Sequence, residues 1–169
     1  MKKSIFYIFI LLSASAFSQE KEPETLSELL NKYNNRSVPY ISVQELAMPK
    51  TEAIILDARE INEFNVSHLK NAIHIGYDFF EIDSVQQKLP NKDAQIVVYC
   101  SLGIRSEIIA AKLKKSGYVN VLNLYGGIFE WKNKGFKVYD LSDKETEKVH
   151  VNNGFWGLWL TKGEKVYER

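Results

Sequence analysis

Five short apolar runs, separated by helical patterns, restrict what this chain can fold into. They are Tyr40-Ile41, Ala53-Ile54-Ile55-Leu56, Ala72-Ile73-His74-Ile75, Ile96-Val97-Val98-Tyr99 and Val119 to Leu124. Each is nearly continuous in apolar character and rich in branched or aromatic residues. Strands covered on both faces look like this, whereas half-exposed strands alternate. Between the runs, Ser42-Val43-Gln44-Glu45 reads as a helix start with its N-cap. Phe79 to Leu89 is amphipathic and stops at Pro90. Arg105 to Lys115 carries Ile108, Ile109 and Leu113 on one face and ends before Gly117, and Ile128 to Lys134 ends before Gly135. This alternation predicts an α/β protein, three layers deep (α/β/α), around a mainly parallel sheet of about five strands. On such sheets functional groups gather at the carboxyl ends of the strands.

The flanks read differently. Residues 20–36 are polar, with Leu26, Leu29, Leu30 and Tyr33 at helical spacing and Pro23 and Thr25 as start signals. They predict a short amphipathic helix that braces or lids the domain. Residues 141–150 are charged and read as a surface linker. The tail then holds two runs, Phe155 to Leu160 and Lys165 to Tyr167, around a Gly-containing turn. That pattern predicts a β-hairpin. Trp156 or Trp159 is expected to cover an edge or cleft of the domain, since large aromatics mostly serve burial. A protein partner or a membrane surface meeting residues 155–160 is the lesser option.

The first eighteen residues read as a secretory signal. Met1-Lys2-Lys3 is basic, Ile5 to Leu12 is almost wholly apolar, and Ala16 and Ser18 are spaced as an A-x-A-like site, with cleavage expected before Gln19. The apolar run is too short for an ordinary membrane span, so no stable span is expected after cleavage. The protein is then exported, periplasmic in a cell with two membranes and otherwise secreted. The chain of 169 residues has a formal net charge of +1. Losing Lys2 and Lys3 leaves 20 basic against 21 acidic side chains, formally −1. Neither value provides a field for nucleic acid. One cysteine allows no internal disulfide, and the length suffices for a core without staples. One Cys and scattered His residues call for no metal, and no cofactor is expected. A lone Cys is ordinarily a small buried apolar residue. Its neighbours decide otherwise here.

The segment Ile96-Val97-Val98-Tyr99-Cys100-Ser101-Leu102-Gly103-Ile104-Arg105-Ser106 is a buried strand, a cysteine, a short loop and a helix start. Cys100 leaves the strand at its carboxyl end. Amides of the loop and first helical turn can converge on its sulfur, and the helix dipole favours negative charge there. The same field favours the thiolate, the reactive form. Gly103 permits a tight backbone, and Arg105 adds fixed positive charge and a planar fork of donors.

This loop resembles the active-site loop C-x-x-G-x-R-S of the rhodanese family. Three further stretches resemble the family in order: Leu56-Asp57-Ala58-Arg59-Glu60-Ile61-Asn62-Glu63-Phe64, His68 to Ile75, and Val121 to Trp131. The resemblance covers about residues 38–139, so a rhodanese-like domain is expected at 37–140, after a helical extension at 19–36 and before a linker and tail at 141–169. It implies sulfur transfer by covalent catalysis through a Cys100 persulfide. Cys100 and Arg105 would be catalytic, with Ser101, Leu102, Gly103, Ile104 and Ser106 lining the substrate. The donor would be thiosulfate or a persulfide, and the acceptor a thiol, or cyanide in a test tube. Asp57, Arg59 and Glu63 would brace the site from behind, with Arg59 pairing to Glu63, although a surface ion pair is the plainer reading of Glu63. His68, His74 and Trp131 read as structural. Ser101, Leu102 and Ile104 are uncharged, so the rim suits a larger or thiol-bearing donor better than a small dianion.

Three other readings remain. A phosphatase or arsenate reductase would use Cys-x5-Arg, whereas Cys100 and Arg105 are spaced Cys-x4-Arg. A smaller ring of amides fits one sulfur better than a tetrahedral oxyanion. A partner-dependent sulfur relay or binding module could use the same scaffold, with the aromatic tail as its docking surface. A Cys-His hydrolase lacks a histidine beside the cysteine motif.

Overall fold

The computed structural model describes residues 22–167. The secretory signal expected at residues 1–18 lies outside them. Thr25 caps the first helix, α1 (Leu26–Tyr33), in a reciprocal capping box with Glu28. Strand β1 (Tyr40–Ile41) and helix α2 (Val43–Leu46) follow, the latter capped by Ser42 and Glu45. Next come β2 (Ile54–Asp57), α3 (Ile61–Val66), β3 (Ile73–His74) and α4 (Ile82–Lys88). Then follow β4 (Ile96–Tyr99), α5 (Arg105–Lys115), β5 (Val121–Leu124) and α6 (Gly127–Asn133).

The five strands form one parallel sheet in the order β1-β5-β4-β2-β3. Strand β4 lies at its centre with all four residues fully buried. Successive side chains point to opposite faces. Val97 and Tyr99 therefore join the core formed with α1, α2 and α6, while Ile96 and Val98 join the one formed with α4 and α5. The three-layer α/β/α architecture expected from the sequence is the one observed.

The C-terminal part differs from the sequence reading. Residues 141–150, expected as a charged linker, hold β7 (Glu145–Thr146), which pairs antiparallel with β6 (Val138–Tyr139), and β8 (Lys148–His150). Val149 and His150 are buried there. The expected hairpin does not form. Asn153 Oδ1 instead accepts a hydrogen bond from the Trp156 amide at 3.1 Å, and the aromatic run coils into α7 (Gly154–Gly157). Strand β9 (Glu164–Val166) returns beside β8 in parallel. Burial drives this arrangement, because Val149, Val151 and Leu160 all enter the core beside α6. Among the described residues no helix is long and apolar enough to cross a membrane.

Candidate active site

Strand β4 delivers Cys100 to the carboxyl edge of the sheet, and α5 begins five residues later. The backbone turns between them at Gly103, whose φ of +100° is unfavourable for a residue with a side chain. A Cβ there would stand 3.1 Å from the Leu124 carbonyl oxygen. This turn aims the Gly103 N–H at Cys100 Sγ, 3.1 Å away. The Ser106 hydroxyl lies 3.4 Å from the same sulfur. No side chain caps the start of α5, so its first-turn donors are left for something else.

A loop that collects donors on one side has carbonyls to place on the other. Helix α6 takes two of them: the Ile128 N–H bonds the Cys100 carbonyl at 2.9 Å and the Phe129 N–H bonds that of Ser101 at 3.1 Å. The approach is close enough that a Cβ on Gly127 would lie 2.2 Å from the Cys100 oxygen. Asn123 on β5 and Asn34 after α1 both donate to the Gly103 carbonyl, at 2.8 and 2.9 Å. Asn123 also accepts from the Ser106 hydroxyl at 2.6 Å.

A charged layer lies beside the sulfur. Glu63 on α3 holds Arg105 in a two-pronged pair, with both N···O distances 2.7 Å, and accepts from the Ser101 hydroxyl at 3.0 Å. The Glu63 side chain is 1% exposed and that of Arg105 22%. Burial alone would raise the Glu63 pKa, but hydrogen bonds and charge from Arg105, with further charge from Arg59, outweigh it and lower the value to about 2. For Arg105, burial opposes the charge, yet Glu63 and the nearby Cys100 sulfur hold its pKa above the ordinary arginine value.

Here the structure corrects the expected pairing. Arg59 does not pair with Glu63. It is fully buried, bonds Asp57 through Nε and Nη2, and donates to the Ser67 carbonyl at 2.6 Å. Asp57 is two residues back on the same strand end, so the chain folds the guanidinium onto it before α3 begins. The Arg59 guanidinium carbon lies over the Tyr99 ring, 5.6 Å from the centroid. Asp57 and Arg59 thus fix the floor between β2 and β4, while Glu63 alone of the three reaches the loop. His68 stacks on Phe64 at 4.2 Å, and His74 Nε2 bonds the Arg59 carbonyl at 2.8 Å.

Over Cys100 opens a cavity of about 240 Å³, walled by Tyr33, Ser101, Leu102, Ile104, Arg105, Asn152 and Trp156. Gly103 and Ser106 sit behind the sulfur rather than in the wall.

A model of the rhodanese-like domain matches residues 42–134, more than half of the chain. The chain belongs to the rhodanese-like domain family. It is 38% identical over 87 residues to the adenylyltransferase and sulfurtransferase UBA4 of Candida albicans, covering 48% of this chain and 20% of that protein. It is 32% identical over 124 residues to "Putative sulfur carrier protein YrkF" of Bacillus subtilis, covering 68% of this chain and 65% of that one. A thiosulfate sulfurtransferase crystal structure from Pseudomonas aeruginosa superposes with a TM-score of 0.56 at 25% identity, over 62% of this chain and 21% of the other. The matched region thus spans between a fifth and just under two thirds of these curated relatives.

Several residues of this rhodanese-like site were not singled out from the sequence. Asn123 carries a signal in hindsight, being a polar residue inside an otherwise apolar buried strand. Glu107 is another: it is 3% exposed, accepts from Tyr40 and from Ser37, and so ties α5 to β1 and to the segment before it. Burial, and then the Glu107 carboxylate, push the Tyr40 phenol up to about 12. Trp156, expected to cover an edge or cleft, walls the cavity over Cys100, while Asn34, Tyr33 and Asn152, which also lie outside the stretch matched by the rhodanese-like model, were not singled out as site residues.

Proposed function

We propose that this chain is a sulfurtransferase that carries sulfane sulfur as a persulfide on Cys100. The observation that carries the reading is the Gly103 N–H aimed at Cys100 Sγ from 3.1 Å, beside the uncapped start of an eleven-residue helix. Donors fixed in this way stabilise an anionic sulfur, and the thiolate is the nucleophile. With thiosulfate, Cys100 attacks the outer sulfur. The donor's S–S bond breaks, sulfite leaves with the electron pair, and a persulfide anion remains on Cys100. An acceptor thiolate, or cyanide, then attacks the terminal sulfur and restores the Cys100 thiolate. Arg105, held in the cavity wall by Glu63, offers its remaining N–H groups to the anion at both steps. The likeness to a thiosulfate sulfurtransferase and to a sulfur carrier supports the same class.

The test is mass spectrometry after incubation with thiosulfate, and separately with an organic persulfide. A gain of one sulfur on Cys100, absent from Cys100→Ser, is expected. A wild-type protein that gains sulfur from neither donor overturns the proposal. A relay module that trades sulfur only with a protein partner is the second reading, favoured by the uncharged rim at Ser101, Leu102 and Ile104. Transfer that needs a protein donor or acceptor would select it. The proposal includes export through the leader at residues 1–18, and a mature N-terminus at Gln19 in sequenced protein is the expected result.

A further inference from the structure

The cavity over Cys100 is built from two sources. Ser101, Leu102, Ile104 and Arg105 come from the loop, while Tyr33, Asn152 and Trp156 come from outside residues 42–134. This outer wall is held firmly. Trp156 sits on α7 and meets the Tyr33 ring edge-on, with centroids 5.8 Å apart at 65°. Phe155 also meets the indole edge-on, with centroids 5.0 Å apart. Asn152 holds a left-handed φ of 55°, costly for a residue with a side chain, and its Nδ2 lies 3.4 Å from Glu63 Oε1. Val149 and Val151 just before it are fully buried.

The wall's chemistry is apolar. Among the described residues Arg105 is the one cation in the lining, and Glu63 binds it through both oxygens. Glu63 is ionised at neutral pH, so this pair offers little net charge to a dianion. Tyr33, Leu102, Ile104 and Trp156 present hydrocarbon and ring faces instead. The volume, about 240 Å³, is that of about eight waters in the liquid. Thiosulfate has five heavy atoms and would leave much of that wall uncovered.

The geometry points to an organic sulfane-sulfur donor with an aromatic or branched apolar substituent, selected by Trp156 and Tyr33. This rests on the sulfur-transfer reading of Cys100 and names its substrate class. With a persulfide R–S–SH, the Cys100 thiolate attacks the terminal sulfur and the donor's S–S bond breaks. The electron pair leaves on R–S⁻, which is released as the thiol on taking a proton from solvent. Cys100 keeps the terminal sulfur, so no outside oxidant or reductant enters.

Three stable donors isolate the substituent: thiosulfate, methanethiosulfonate and benzenethiosulfonate. Each rate of persulfide formation on the full chain is divided by that donor's rate with a free thiol in solution. The wild type should favour benzenethiosulfonate over methanethiosulfonate by about tenfold, as expected for one aromatic contact. Trp156→Ala should erase that preference by raising KM for the aryl donor about tenfold more than KM for methanethiosulfonate, with the far-ultraviolet circular dichroism of the wild type reporting an intact fold. Trp156→Phe should restore most of the preference. A wild type that takes sulfur from all three donors without preference would sink this inference and leave sulfur transfer standing, as would a Trp156→Ala loss equal for both thiosulfonates. A wild type that takes sulfur from none would remove both.

Discussion

Replacing Glu63 by Gln tests how the loop is held. The carboxylate accepts from Arg105 through both oxygens, from the Ser101 hydroxyl and from the Glu60 N–H at 3.0 Å. Glutamine keeps one accepting oxygen. Its NH2 would face two of those donors, so at least two bonds to a charged acceptor are lost, each worth about 1.5–3 kcal/mol. Removing one partner of a buried pair costs about 3–5 kcal/mol, but the Arg105 side chain is 22% exposed and can recover some water. The expected loss is therefore about 3 kcal/mol, or roughly 6–12 °C in Tm for a domain of this size. The pKa gives a second route. Glu63 moves from an ordinary 4.5 to about 2 on folding, which corresponds to about 3 kcal/mol at neutral pH. Because the folded value is the lower one, this stability is present in full above pH 4.5 and is lost as pH falls toward 2. Urea unfolding at pH 7 and at pH 3 should show the variant much weaker at the higher pH, with the gap narrowing at the lower one. A variant within about 0.5 kcal/mol of wild type at pH 7, inside the range of a neutral surface change, would refute the reasoning. So would an unchanged gap at pH 3.

Gly103→Ala should cost about 1–2 kcal/mol from its left-handed backbone, and persulfide formation should fall much further as the amide tilts off the sulfur; loading at the wild-type rate would show that this amide is not needed. Arg59→Ala leaves Asp57 buried without its partner and should cost about 3–5 kcal/mol in urea unfolding, a loss that should exceed that of Arg59→Met, which refills the volume. Cys100→Ser should keep the far-ultraviolet circular dichroism of the wild type and take up no sulfur from any donor. Transfer at the wild-type rate would remove Cys100 from the mechanism.

What could be read in advance follows the range of the interactions. Strands β1 and β4 and helix α5 were legible to the residue, because a parallel strand buried on both faces is a continuous apolar run and α5 shows its own face and stop. The loop around Cys100 was legible because strand, cysteine, glycine and helix start are contiguous. The tail was not, since Asn153 as a helix cap and the last strand as a turn partner read alike in one dimension. Nor was the Glu63 partner. Arg59 is four residues away and Arg105 forty-two, and local spacing favoured the nearer one. Only the fold shows that Asp57 already occupies Arg59. Asn34, sixty-nine residues from Gly103, belongs to the same class of long-range contact.

The carbonyls behind Cys100 make the loop hard to transplant. Their partners come from α6, from Asn123 on β5 and from Asn34 after α1, three places scattered along the chain. Grafted onto another strand–helix junction, the same seven residues would arrive without those anchors, and peptide planes would be free to flip oxygen toward the sulfur. The shape of the loop is a property of the surrounding architecture, and trimming the chain to residues 42–134 would discard one of the three anchors.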